Sequence, residues 1–254
     1  MTAKDEIINL YKPIGISSLD AINLFKENNP EYKDVAMTYV GRLDPLAEGV
    51  LVVLAGDAVY KKNEYLNLNK EYEAEVLFGF ETDTYDILGL AKMSDVGSCS
   101  FEEKEAKIEL KKFKGDFTFS LPPYSSYKIK GKSLFQWARE EHLGEIEIPR
   151  RTVKIYDTKF GSFWEIDKEE LLKKITKKID LVQGDFRQEE IKEQWKEIFG
   201  NIGGIGHRSY YVAEITISCS SGTYVRSIAH ELGKKLGTGA ILLSLKRTRV
   251  GEYT

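Results

Sequence analysis

Cysteine is almost absent from this chain. There are two, Cys99 and Cys219, in 254 residues, and Cys219 lies in an alternating run that reads as a buried strand. That argues against a disulfide framework and against a cysteine-ligated zinc site. Histidine is nearly as scarce, and His142, His207 and His230 lack the spacing of metal ligands. No apolar run approaches the ~20 residues that span a bilayer. The opening Met1-Thr2-Ala3-Lys4-Asp5-Glu6 has no apolar core of a secretory signal. No internal repeat or low-complexity linker divides the sequence. The expectation is one domain over 1–254, in the reducing cytoplasm, without a membrane partner.

Apolar material is sufficient: 42% of residues are hydrophobic and 30% charged, which supports a substantial core and excludes a disordered chain. The net charge of −3, from 37 basic and 40 acidic residues, weighs against a nucleic-acid partner. The distribution weighs the other way. Pro122 to Lys154 carries 7 basic and 4 acidic residues, and Arg226 to Thr254 carries 6 and 2, so two basic segments could meet in one cleft of an acidic body.

Ile7 to Lys12 reads as a strand, and Ser17 or Ser18 caps a helix carrying Ile22 and Phe25 on one face. Val50 to Ala55 is a continuous apolar run, the mark of a fully buried strand. Glu71 to Gly79 alternates, with Tyr72, Ala74, Val76 and Phe78 on one face. Ser100 with Glu103, and Ser133 with Gln136, form capping boxes. Tyr211 to Cys219 is another strand; Thr223 opens a helix that Gly237 stops, and Leu243 to Val250 forms the last strand. Strands and helices mix without a regular βαβ rhythm, which predicts an α/β fold of the α+β type, an antiparallel-rich mixed sheet flanked by helices. The segment 160–206 stands apart as a helical insert. Its two apolar stripes, Leu171-Leu172-Ile175-Ile179 and Ile191-Trp195-Phe199, predict a charged hairpin packed on the body.

Chemistry points first to Asp44. It lies in Gly41-Arg42-Leu43-Asp44-Pro45-Leu46-Ala47-Glu48-Gly49, just before the buried strand, and Pro45 biases it away from helical geometry. A carboxylate on a short loop at a core strand suits catalysis. The competing reading is a helix N-cap, against which Gly49 arrives too soon for a helix. Arg226 is the second oddity, a cation in the first turn of a helix, where the macrodipole disfavours it unless an anion lies nearby.

The stretch from Gly41 through Val50-Leu51 closely resembles the catalytic motif of the bacterial tRNA pseudouridine synthase B family. Further resemblances follow in order: Leu10-Tyr11-Lys12-Pro13-Ile14-Gly15-Ile16-Ser17-Ser18, then Lys70-Glu71-Tyr72 with Thr82-Asp83-Thr84-Tyr85-Asp86, then Pro122-Pro123-Tyr124-Ser125-Ser126-Tyr127-Lys128-Ile129-Lys130-Gly131. Cys219-Ser220-Ser221-Gly222-Thr223-Tyr224-Val225-Arg226-Ser227 and Leu245-Lys246-Arg247-Thr248 complete the set. The resemblance implies the pseudouridine synthase fold and isomerisation of a uridine in the T-arm loop of tRNA, by a monomeric enzyme with neither metal nor cofactor. It implies that Asp44 is the catalytic carboxylate, that Arg226 pairs with it, and that Tyr72 stacks on the flipped base and is placed for proton transfer. For Tyr72 the alternative is core packing. Tyr224 and Leu245 become pocket candidates, with core packing equally open for Leu245. Lys128, Lys130 and Lys132, with Arg139, Arg150 and Arg151, fit a basic arm on the T-arm backbone, and the histidines read as surface or RNA-contacting side chains.

Three departures accompany the resemblance. Tyr39 stands where the family usually has a histidine, although an aromatic ring can still stack on a base. The insert at 160–206 is longer than the family's usual connection. The sequence stops at Thr254, which leaves no room for the C-terminal RNA-binding (PUA) domain common in bacterial relatives. The rival expectations are a related synthase acting on another RNA and an idle RNA-binding or folding factor. Asp44, Tyr72 and Arg226 together argue against idleness.

Overall fold

Alternation in the sequence becomes strands. In the computed structural model, which describes residues 5–94, 101–201 and 209–254, β1 (Glu6–Lys12), α1 (Ser18–Asn28), β2 (Met37–Tyr39) and β3 (Ala47–Ala55) come first. A short α2 (Lys62–Leu66) leads to β4 (Lys70–Phe78) and to a small ribbon of β5 (Phe80–Thr82) and β6 (Ala91–Met93). Then come α3 (Glu103–Lys111), β7 (Gly115–Ser120), a tight pair β8 (Lys128–Ile129) and β9 (Lys132–Ser133), and α4 (Leu134–Arg139). The long β10 (Arg150–Ile166), α5 (Lys168–Asp180), α6 (Gln188–Asn201), β11 (Tyr210–Cys219), α7 (Val225–Leu236) and β12 (Ala240–Val250) complete the order.

Eight strands make one sheet in the order β1-β3-β12-β4-β11-β10-β7, with β2 also paired to β3. Among the described residues only β12 and β3 run parallel in this sheet; its other pairs are antiparallel, as the sequence predicts. Period-two alternation assigns the two faces. Tyr72, Ala74, Val76 and Phe78 of β4 join Ile215 and Ile217 of β11 in a core that holds Ala106 of α3 and Ile228 of α7. The opposite set, Leu77, Val212, Ile241 and Leu243, packs with α5 and α6.

Within 160–206 the helices are α5 and α6, and they begin later than the segment expected to be helical. Phe160–Ile166 is the end of β10, paired with β11, and not part of the helical excursion. The two stripes are buried on the sheet through Leu171, Ile175, Ile179, Ile191, Trp195 and Phe199, with Leu172 only partly covered. Asp167 caps α5 by accepting from the Glu170 N–H at 2.8 Å, and Lys177 and Lys178 complement its far end. Two caps differ from expectation. Helix α3 is capped by Glu102 with Glu105, while Ser100 lies outside the described residues. Helix α7 starts one residue beyond Tyr224, and the Thr223 hydroxyl instead closes the preceding turn on the Ser220 carbonyl at 2.9 Å.

Candidate active site

Asp44 is carried on the loop between β2 and β3, and the loop is held from beneath by buried polar groups. Lys12, wholly buried, donates from Nζ to the carbonyls of Pro13 (2.9 Å) and Ala47 (2.6 Å). Burial lowers its pKa to about 8, with Asp44 and Glu48 opposing. Ser18 accepts the Leu43 N–H at 2.9 Å, and the Gly15 N–H donates to the Pro45 carbonyl at 2.8 Å. Arg247, also buried, donates from Nε to Val50 (2.8 Å) and from Nη2 to Gly41 (3.1 Å). Gly49 sits at φ +109° against the Arg247 backbone, where any side chain would collide. The Ala47 N–H closes a turn on the Asp44 carbonyl at 3.0 Å and β3 begins at once. No helix follows Asp44, so the N-cap reading fails.

The anion that Arg226 needs is Asp44. Arg226 Nε donates to Asp44 Oδ2 at 2.8 Å, Nη2 to the Tyr124 carbonyl at 3.2 Å, and Nη1 to the Thr84 carbonyl. A second carboxylate, Asp86, lies 3.7 Å from Nε. The Arg226 side chain is 5% exposed and that of Asp44 35%. Burial works against the Arg226 charge, yet Asp44 and Asp86 outweigh it and hold the guanidinium above its usual pKa. Asp86 is itself pushed up to about 6 by burial, with Arg226 and the Thr84 hydroxyl (2.7 Å) opposing. Two carboxylates thus share one sequestered cation, and only Asp44 is substantially open to solvent. A small cavity beside the pair is lined by Leu46, Asp86, Arg226 and Leu245.

Residues 31–184 match the model of the TruB family pseudouridylate synthase N-terminal domain. The tRNA pseudouridine synthase B of Clostridium tetani is 31% identical over 248 residues, covering 98% of this chain and 68% of that protein. The chain belongs to the TruB family of pseudouridylate synthases. The tRNA pseudouridine synthase B of Malacoplasma penetrans is 30% identical, covering 98% of this chain and 87% of that one. Among solved structures, the Cbf5 chain in the crystal structure of a Cbf5-Nop10-Gar1 complex aligns with a TM-score of 0.58 at 20% identity, covering 98% of this chain. This chain spans 49% of that one, and the likeness shows the fold alone.

Against the TruB resemblance, the remaining candidates divide. Tyr72 is 8% exposed and belongs, with Leu43 and Ala47, to the apolar cluster on which Tyr224 and Leu245 pack. Burial raises the Tyr72 pKa, opposed by Arg247, its neighbour across the strand pair, so the phenol stays protonated near neutrality. Leu245 is the one of these three that lines the cavity beside Asp44. The Tyr224 ring centroid lies 5.9 Å from the Arg226 guanidinium carbon. Tyr39 packs, partly buried, on the cluster of Ile22, Leu51 and Val53; Arg42 donates to its hydroxyl at 3.2 Å and Lys62 lies 5.3 Å from its ring. It is not in the cavity wall.

Lys128, Lys130, Arg150 and Arg151 are exposed, and Arg151 reaches over Gly222 beside the α7 start. Lys132 and Arg139 are engaged internally, by Glu140 and by Asp185. His142 is a surface residue bonded to Glu145 at 3.0 Å; His207 lies outside the described residues. His230 corrects the surface reading, since it is half-buried and stacks on Tyr85 with centroids 3.9 Å apart.

Sequence alone assigns no role to Asp86, to Arg247 or to the carbonyls of Thr84 and Tyr124. A signal for Asp86 is present in the Thr82-Asp83-Thr84-Tyr85-Asp86 motif. The two carbonyls offer none, because a backbone acceptor carries no residue signature.

Proposed function

We propose that this chain isomerises uridine to pseudouridine in the T-arm loop of tRNA, with Asp44 as the reacting carboxylate. The observation that carries the proposal is the asymmetry of the Asp44–Arg226–Asp86 group. Arg226 is buried and also donates to two backbone carbonyls, Asp86 is buried beside it, and of the two carboxylates Asp44 alone presents an oriented group to solvent. The reaction breaks the bond from uracil N1 to ribose C1′, turns the base, and joins C5 to C1′. The proton leaving C5 is balanced by the one N1 gains, so nothing is oxidised and no phosphate moves. Tyr72, Tyr224 and Leu245 supply the apolar surfaces that receive a base taken out of its stack. Lys128, Lys130, Arg150 and Arg151 meet backbone phosphates. On this reading the chain is a monomer of the cytoplasm. The described residues contain no helix long and apolar enough to cross a membrane.

Incubation with an unmodified tRNA transcript, followed by mapping of pseudouridine, tests the proposal. Conversion is expected at the T-loop uridine and nowhere else, and it disappears when that uridine is replaced by cytidine. Conversion confined to another loop, or none, overturns it.

A further inference from the structure

The helical excursion reaches the candidate active site through the loop that joins its two helices. Gln183 donates its N–H to the Gly15 carbonyl at 2.8 Å, and Gly15 in turn donates to Pro45, the residue after Asp44. The Leu181 carbonyl lies so close to Gly15 that a side chain there would collide. Arg187 continues the contact on the other half of the pair. Its Nη2 donates to Asp83 Oδ2 at 2.8 Å, and its guanidinium carbon lies 4.9 Å from the Tyr124 ring centroid.

Those two anchors matter because of what Arg226 holds. Arg226 donates to the carbonyl of Thr84, the residue after Asp83, and to the carbonyl of Tyr124 itself. Both backbone acceptors that orient the Arg226 guanidinium therefore sit in segments that Arg187 ties together. Arg187 adopts φ +61°, a left-handed conformation that non-glycine residues rarely hold and that persists where the surroundings over-determine it. The over-determination is visible: Gln188 stitches the loop by donating to Val182 (3.0 Å) and Gly184 (2.6 Å). The Arg187 charge is engaged by Asp83 and its side chain is 24% exposed, which leaves it poorly placed to grip a phosphate. Arg187 lies outside every motif that carries the resemblance.

We infer that Arg187 is a positioning residue, which fixes the Thr84 and Tyr124 carbonyls and through them the bearing of Arg226 on Asp44. The inference rests on the isomerisation proposed above. Full-length wild type, Arg187→Ala and Arg187→Lys are compared for single-turnover pseudouridine formation and for tRNA affinity. For Arg187→Ala the rate constant falls about tenfold or more while affinity stays within about twofold, the signature of misplaced rather than missing machinery. Arg187→Lys recovers part of the rate, because lysine keeps the charge beside Asp83 but not the guanidinium over the Tyr124 ring. In a Tyr124→Leu background, Arg187→Ala adds little, since the pair acts as a unit.

Lys192→Ala removes a different tie of the same hairpin, the 2.7 Å bond from α6 to Asp180, and leaves the rate unchanged. An equal loss in Lys192→Ala would make the effect one of hairpin stability and overturn the inference. An unchanged rate in Arg187→Ala, or weakened affinity with the rate preserved, overturns it too. Should the alanine variant fail to fold, the same rate-against-affinity comparison on Arg187→Lys decides. A wild type without product defeats the functional reading and this inference together. An active wild type with equally active variants defeats the positioning role alone.

Discussion

Asp44 and Asp86 share one arginine and differ in what surrounds the rest of the carboxyl. Asp86 accepts from the Leu88 N–H (3.0 Å) and the Thr84 hydroxyl (2.7 Å), with its side chain 11% exposed. Its folded-state pKa of about 6 stands above the ordinary 3.8. A raised carboxyl pKa means that the bound proton stabilises the fold, in full below about pH 4, and that this contribution is lost as pH rises through about 6. Wild type should therefore gain stability over Asp86→Asn as pH falls from about 7 to about 4, on the order of 2 to 3 kcal/mol. Denaturant melts of both proteins across that window check this, and a constant difference contradicts it. Asp44 and Arg226 stood out in the sequence because each strained a local rule, an aspartate before proline with glycine too close for a helix and a cation at a helix start. The motif resemblance named them as a pair, and the two side chains are bonded. Asp86 strained no such rule. Its only signal is the Thr82-Asp83-Thr84-Tyr85-Asp86 motif, which does not say which of its two carboxylates is buried.

The elements were legible wherever the apolar period was clean. Alternation in β4 and β11, and the two stripes of α5 and α6, led to correct structure with ends displaced by a few residues. The error at 160–166 has a physical cause. The β10–β11 register shifts between Phe160 and Phe163, so the bulge breaks the period-two pattern at the point where it would have announced a strand. The hairpin of α5 and α6 packs on the body as its stripes predict, over Leu77 of β4, Val212 of β11, and Ile241 and Leu243 of β12. Trp195 shows how firmly. It is fully buried, with its ring centroid 5.0 Å from Phe80 and 5.8 Å from Phe199. Trp195→Ala should cost about 3 to 5 kcal/mol, from the apolar surface it no longer buries and the cavity it leaves. A loss under about 1 kcal/mol in equilibrium unfolding would place the hairpin outside the cooperative fold.

Across the whole molecule, a count of basic residues overstates what is free to meet an anion, because many cations are used internally. Arg226 and Arg247 are buried, Arg249 pairs with Glu71, and Lys132 and Arg139 bind Glu140 and Asp185. The four exposed cations named for RNA lie on the β8–β9 turn and at the start of β10. Replacing Lys128, Lys130, Arg150 and Arg151 together with alanine should flatten the salt dependence of tRNA binding, by about one in log–log slope for each phosphate no longer neutralised. An unchanged slope would move the RNA path to another face.

On the proposed reading, one solvent-facing carboxylate, held by a buried arginine, performs the isomerisation. Single-turnover conversion of unmodified tRNA by Asp44→Asn, with affinity measured in parallel, tests it most directly. The amide preserves shape and removes the reacting charge, so near-wild-type binding and no pseudouridine are expected. Product at more than a few per cent of the wild-type rate would contradict it.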